Sequence, residues 1–411
     1  MPAGLRPVAA SQAAGGIPLL VPDMPRPEAL MPYLQRMHAA RHYSNFGPLV
    51  AELETAFAER FARDGSRSPA VTTVSNATSG LELVLQALAL LPGSRVLVPS
   101  LTFVATATAV LRAGYVPVLA DVDADRWLLT PEIAARACRR LDIRAVMPVA
   151  AFGAPHDAPD WDAFSRAHGL PVVIDAAAAY GGQWLADSAV TLVFSLHTTK
   201  SLPAGEGGLV VSRDAALVAK VRELSNFGIN LCARRGVPVG ALADAGTNAK
   251  MSEYHAAVGL ASLQDWEARA GVRRQVHAAY AALLESAAPG VVGWQRMPPG
   301  LGVAAPTSMC LRLPGAAARQ RFEKRCQEEG IGTRRWYQPL LSRMTALKDR
   351  CEAMPCPRAE EIAHELVGVP FFPDIDAAQQ RRVADSLAAS LDGGLTPAAR
   401  VAVPAQMSPE T

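Results

Sequence analysis

AVTTVSNATSGLELVLQALALLPGSRVLVPSLTFVATATAVLRAGYVPVLA, residues 70–120, alternates short β-branched runs with helical ones. Ala70 to Val74, Arg95 to Val98 and Val116 to Ala120 read as strands, while the segment from near Thr78 (LELVLQALAL) and Val104 to Arg112 carry apolar residues at helical spacing. Strand and helix in alternation close by right-handed crossovers, which build a largely parallel sheet covered by helices on both faces. The series continues at Ala145 to Val149, Pro171 to Ala176, Thr191 to Leu196 and Leu209 to Ser212. Thr130-Pro131-Glu132, an N-cap threonine, a proline at N1 and a first-turn acid, opens a helix ending near Leu141.

After Ser252 the pattern changes. Glu253 to about Glu285 carries helical spacing without a strand signal, and residues beyond Val291 mix strands (Met309 to Leu313, Ile331 to Trp336) with helices such as Ala316 to Glu329. The expected fold is α/β: a large domain with a mostly parallel sheet, residues 26–270, and a smaller C-terminal α+β domain, residues 271–393. Closely spaced prolines (Pro22, Pro25, Pro27) mark residues 1–25 as a flexible tail, and the Pro/Ala/Ser-rich residues 394–411 read as another.

The 411 residues suffice for two or three domains, and 40 basic against 38 acidic residues exclude a nucleic-acid polycation or an acidic disordered chain. The uncharged stretch Val96 to Leu111, sixteen residues with Pro99 and several threonines, is too short to span a membrane. The six cysteines show neither CxxC redox nor zinc spacing, which points to reduced thiols and no metal. No secretory signal is evident near the N-terminus, so a cytoplasmic location is expected.

Three segments carry chemistry. Ser75-Asn76-Ala77-Thr78-Ser79-Gly80 lies where a strand ends and a helix begins; free N–H groups there suit a phosphate, although such turns also serve as ordinary N-caps. Val172-Val173-Ile174-Asp175 is a buried strand ending in a carboxylate, which caps the next segment or faces a cation or a ring N–H. Phe194-Ser195-Leu196-His197-Thr198-Thr199-Lys200, before Gly205-Glu206-Gly207-Gly208, offers a lysine that is either solvated or desolvated into a nucleophile. Phosphate cradle, strand-end carboxylate and lysine together are what pyridoxal 5'-phosphate (PLP) requires.

SNATSGL, VPSLTFVATATAV, WDAFSRAHGLPVVIDAAAAYGG, FSLHTTKSLPAGEGGLVVS and GTNAKMSEYHAAVGLASLQ follow in order between Tyr43-Ser44-Asn45-Phe46-Gly47-Pro48 and Leu366-Val367-Gly368-Val369-Pro370. In these motifs the chain resembles the DegT/DnrJ/StrS family of PLP-dependent sugar aminotransferases, of fold type I. The resemblance implies that Lys200 forms the Schiff base and that Asp175 pairs with the pyridinium N–H. It also implies an aromatic, Phe103, over the ring, and phosphate contacts from Thr78, Ser79 and Ser195. Asn248 and Lys250 match a segment that reaches the neighbouring subunit's cofactor, implying a homodimer with active sites at the subunit interface. Asn45, Phe46, Tyr180, Trp336 and Tyr337 fall on the substrate side, although Trp336 and Tyr337 also suit interdomain packing.

Four positions depart from the family pattern: Ala178 replaces its usual Gln, Tyr180 and Leu341 each replace a His, and Ser201 replaces an Asn. The activity so implied moves an amino group from glutamate or glutamine to a keto sugar, sugar nucleotide or related ketone. Two other classes remain open. One is a PLP-dependent dehydratase, cyclase or lyase, although family dehydratases carry histidine where this chain has Lys200. The other is a catalytically idle ligand-binding homologue, which would have no reason to keep Lys200, Asp175 and Ser195 together.

Overall fold

The computed structural model describes residues 15–62, 68–233 and 236–392. Its main sheet contains β1 (Ala70–Val74), β2 (Arg95–Pro99), β3 (Val116–Ala120), β4 (Ile143–Val146), β5 (Val173–Asp175), β6 (Thr191–Ser195) and β7 (Gly208–Ser212). Two ladders, β1-β7-β6-β5 and β4-β2-β3, meet where Val146 bridges Val172 and Val149 bridges Asp175, both in parallel. Only β7 runs against its neighbours β1 and β6. The carboxyl ends of β1 to β6 therefore lie along one edge, together with the start of β7.

Alternation along each strand sends successive side chains to opposite faces. Leu97, Ile174, Leu192, Phe194 and Leu209 enter one core, beneath α1 (Pro27–Ala40), α2 (Pro48–Phe61) and further helices. Val96, Val98, Val173, Val193 and Val210 enter the other, beneath α3 (Ala77–Ala87) and α4 (Val104–Arg112). Both faces are covered, as a parallel sheet requires. Helices α5 (Pro131–Cys138), α6 (Ala158–His168) and α7 (Ala215–Ser225) complete the layers.

The expected long helix is two helices, α8 (Glu253–Gln264) and α9 (Trp266–Ala287), separated at Asp265. The division expected at 270/271 falls inside α9. A third core joins Tyr280 and Leu284 of α9 to Met309 and Leu311 of β8 (Met309–Arg312), and to Phe322 of α10 (Gly315–Glu328). After a two-residue strand β9 (Glu352–Ala353) beside β3 and the helix α11 (Pro357–Glu365), β10 (Leu366–Val369) pairs antiparallel with β8; α12 (Ala377–Asp392) follows.

Two expectations need correction. Ile331 to Trp336 forms no strand, only single bridges from Ile331 to Ile17 and from Arg334 to Gly368. Residues 17–25 are no tail: Ile17 is 2% exposed, and backbone hydrogen bonds tie it to Gly330 and Gly332 and tie Leu19 to Phe371. Asp23 pairs with Arg269 at 2.6 Å and Arg273 at 3.2 Å. The proline spacing forbids a helix here but not an extended segment that buries Ile17 and Leu19. Residues 1–14 of that tail and residues 394–411 lie outside the described residues. All six cysteines are free, and no helix among the described residues is long and apolar enough to cross a membrane.

Candidate active site

The strand ends open into a cleft of about 420 Å3. At its floor stands Asp175, the last residue of β5, 5% exposed. Thr106 Oγ1 donates to Asp175 Oδ2 at 2.8 Å, and the Ala177 N–H donates to Oδ1 at 3.2 Å. Thr106 Oγ1 also lies 3.0 Å from Thr102 Oγ1. Because Thr106 gives its proton to the carboxylate, Thr102 must donate to Thr106, and the chain of hydroxyls has one direction. Burial pushes the Asp175 carboxyl above its ordinary value, against the pull of Thr106, the Ala177 N–H and Lys200.

Lys200 lines the same cleft, in the turn after β6. Burial pushes its ammonium below the usual lysine range, opposed by the Asp175 charge. More of the amine is therefore unprotonated near neutral pH than in a solvated lysine.

At the far end of the cleft sits the N-terminus of α3. Asn76 Oδ1 caps it by accepting the Ser79 N–H at 2.9 Å, while the first-turn N–H groups of Ala77 and Thr78 have no partner within the helix. The helix reaches this position because its contacts with the sheet are small: a Cβ on Gly80 would come 3.0 Å from Val193, and one on Gly208 would come 2.6 Å from the Asn76 backbone. Thr78 and Ser195 line the cleft; Ser79 does not. Phe103, 51% exposed, stands over the opening, its ring centroid 6.5 Å from that of Tyr337. Tyr337 stacks on Phe152 at 5.3 Å, and Trp336 lines the same wall.

Other expected residues lie elsewhere. Tyr180 is a core residue, packed edge-on against Phe57, Phe194 and Trp266, so it cannot meet a substrate in this cleft. Asn45 and Phe46 occupy a turn with φ of 61° and 59°, outside the cleft lining, and the Phe46 ring lies 3.8 Å under the Arg222 guanidinium. Lys250 Nζ donates to Asn248 Oδ1 at 2.7 Å and sits 4.4 Å from the Phe227 ring, also outside this chain's cleft. Of the departing positions, Ala178 lines the cleft, whereas Ser201 is buried and Leu341 packs in the second core.

The sequence reading missed Thr102, Thr106, Phe152, Thr307, Ser308 and Arg334, all close to the cleft or lining it. Thr106 had a faint signal, a hydroxyl in an Ala/Val-rich helix one turn after Phe103. The donor set fits PLP. A buried carboxylate offsets a cationic ring N–H, a helix N-terminus with hydroxyls offsets a phosphate, and a lysine whose ammonium burial holds below its ordinary range suits condensation with an aldehyde.

A sequence model of the DegT/DnrJ/EryC1/StrS aminotransferase family matches residues 27–388. The chain belongs to that family. Among solved structures it is similar to DesI, determined in the presence of its TDP-sugar product, at 32% identity and a TM-score of 0.78, covering 92% of this chain and 94% of DesI. A protein from Bacillus cereus ATCC 10987 described as a PLP-dependent aminotransferase matches at 26% identity and TM-score 0.81, covering 90% of this chain and 99% of its own. DesV from S. venezuelae matches at 26% and 0.74, covering 91% and 98%. The chain is a fold-type I, PLP-dependent aminotransferase.

Replacing Thr106 by valine removes the donor that holds down the Asp175 pKa. The carboxylate should then protonate at higher pH, and PLP affinity, measured by equilibrium titration, should fall about tenfold near neutrality. As pH is lowered, affinity should be lost earlier than in the wild type. Superimposable pH profiles would contradict the role given to Thr106.

Proposed function

We propose that this aminotransferase carries an amino group from glutamate or glutamine to a keto sugar, sugar nucleotide or related ketone, in a cytoplasmic biosynthetic pathway. One observation carries the proposal: Asp175, Lys200 and the α3 N-terminus converge on one cleft, in a family to which the sugar-product-bound DesI is similar. PLP, when bound, supplies an electron sink that acidifies the hydrogen on the donor's amine-bearing carbon. Asp175 would keep a positive charge on the ring nitrogen. Thr78, Ser195 and the free N–H groups of α3 would hold the phosphate, with Ser79 fixing the cap. Phe103, Phe152 and Tyr337 form an aromatic wall that excludes water from the reacting atoms.

Lys200 Nζ would take the proton from the donor carbon and return one to the acceptor carbon in the second half-reaction. The cycle is ping-pong, with donor product leaving before acceptor binds. Trp336 and Tyr337 face the acceptor. The expected division is a cofactor-holding part, residues 26–270, and a smaller domain, residues 271–393; a third core of C-terminal residues, joined by Ile17, supports a separate C-terminal unit whose start lies within α9.

A homodimer completes the site. Asn248 is exposed and lies with Lys250 outside its own cleft, which supports their service to the cofactor of a second copy.

Incubating the holoenzyme with glutamate or glutamine and a panel of keto sugar nucleotides, keto sugar phosphates and keto cyclitols should yield an aminated product by mass spectrometry. Lys200→Ala should form none while keeping its fold. Dehydrated product without nitrogen transfer would contradict the proposal. For the shared site, mixing Lys200→Ala subunits with Asn248→Ala/Lys250→Ala subunits should restore about one quarter of wild-type activity, assuming random exchange in a two-fold dimer. No recovery despite demonstrated exchange would remove the shared site.

A further inference from the structure

We infer that a second cavity, behind the aromatic wall of the active cleft, is a binding site for an aromatic monocarboxylate. It encloses about 550 Å3 and shares Phe152 and Ser308 with the cleft. Two of its wall residues hold a costly backbone: Trp127 and Phe152 have φ of 57° and 58°, a left-handed conformation that bulky side chains rarely adopt, and their rings meet edge to face at 6.1 Å. One side chain ties both. Gln295 Nε2 donates to Arg126 O at 2.8 Å and to Ala151 O at 3.3 Å, the carbonyls of the peptide bonds leading into Trp127 and Phe152. On the opposite side Glu285 Oε2 accepts the Trp294 indole N–H at 3.1 Å, and Oε1 accepts the Gly290 N–H at 2.8 Å, which fixes a third aromatic ring at the cavity.

Helix α9 supplies the polar groups. Arg274 and His277 stand one turn apart on the face that lines the cavity, followed by Ala281 and Glu285. Arg274 Nη1 donates to Ala304 O at 2.6 Å, which steadies the guanidinium and leaves its other N–H groups open. Among the described residues Arg274 has no ion pair, whereas Arg269 and Arg273 share Asp23, and Arg296 pairs with Asp125 at 3.2 Å. His277 packs edge-on against the Phe371 ring at 5.4 Å, and among the described residues neither of its ring nitrogens has a hydrogen-bond partner. Burial pushes its pKa below the ordinary histidine value, so near neutral pH it offers a hydrogen bond and no charge. One uncompensated cation suits one negative charge. Glu285, about 12 Å further along the helix than His277, disfavours a second anion at the far end. Between them the small side chain of Ala281 leaves space, and Trp127, Phe152 and Trp294 offer apolar faces to a ring. A carboxylate at the Arg274 end of an aromatic body meets all of these demands.

The assignment does not depend on which donor and acceptor the enzyme uses. Its test titrates the PLP-loaded enzyme calorimetrically with indole-3-acetate and with the uncharged indole-3-acetamide. The wild type should bind the acid at one site per chain with a dissociation constant below about 1 mM, and the amide about tenfold more weakly. Arg274→Gln should weaken the acid at least about tenfold and leave the amide within about twofold of wild type. Arg274→Lys, which keeps the charge without the planar fork, should recover part of the loss. Ala281→Trp, which fills the cavity, should abolish binding of both. The Arg274→Gln enzyme should keep the wild-type melting temperature and PLP affinity, since that side chain is exposed and lies outside the active cleft. No binding of the acid by the wild type, or equal weakening of acid and amide by Arg274→Gln, would overturn the assignment. So would acid binding that survives in both Arg274→Gln and Ala281→Trp, which would place the probe elsewhere on the protein.

Discussion

The Asp175 carboxylate, buried at the end of a central strand, is the constraint on which the site depends. Removing an anion from water costs several kcal/mol unless cations or hydrogen bonds replace its hydration. Here Thr106 and the Ala177 N–H supply two bonds, and Lys200 supplies charge in the same cleft. That compensation is incomplete, since the carboxyl is still held above its ordinary value. A ring N–H cation would complete it, which is the role we propose for the ring nitrogen of PLP.

The sheet delivers these groups to one place. Because β1 to β6 run in one direction, the residues after Val74, Pro99, Val146, Asp175 and Ser195 emerge along a single edge, which is where α/β sheets bind ligands. Gly80 and Gly208 let α3 settle against that edge, so its N-terminal dipole faces the cleft instead of solvent. The segment Arg334 to Tyr337, anchored to β10, closes the opposite wall.

Much of this was legible in the sequence because strand alternation and strand-end polar residues are local signals. Asp175 and Lys200 stand out as charges directly after apolar runs. Thr106 did not, because a threonine within VATATAV is indistinguishable from helix filler until its hydroxyl is seen to reach Asp175. Tyr180 was misplaced for the converse reason: a position can match a substrate-side residue while its side chain turns into the core between Phe57 and Trp266. Ile17 shows that proline spacing reports only which backbone conformations are forbidden, not whether an extended segment finds a partner.

The central claim, that Asp175 holds a charged ring nitrogen, is tested most directly by nitrogen NMR of the holoenzyme carrying PLP labelled at that atom. The account predicts a protonated ring nitrogen in the wild type at neutral pH and above, and an unprotonated one in Asp175→Asn, which keeps a hydrogen bond but not the charge. An unprotonated nitrogen in the wild type, or the same chemical shift in both proteins, would contradict it.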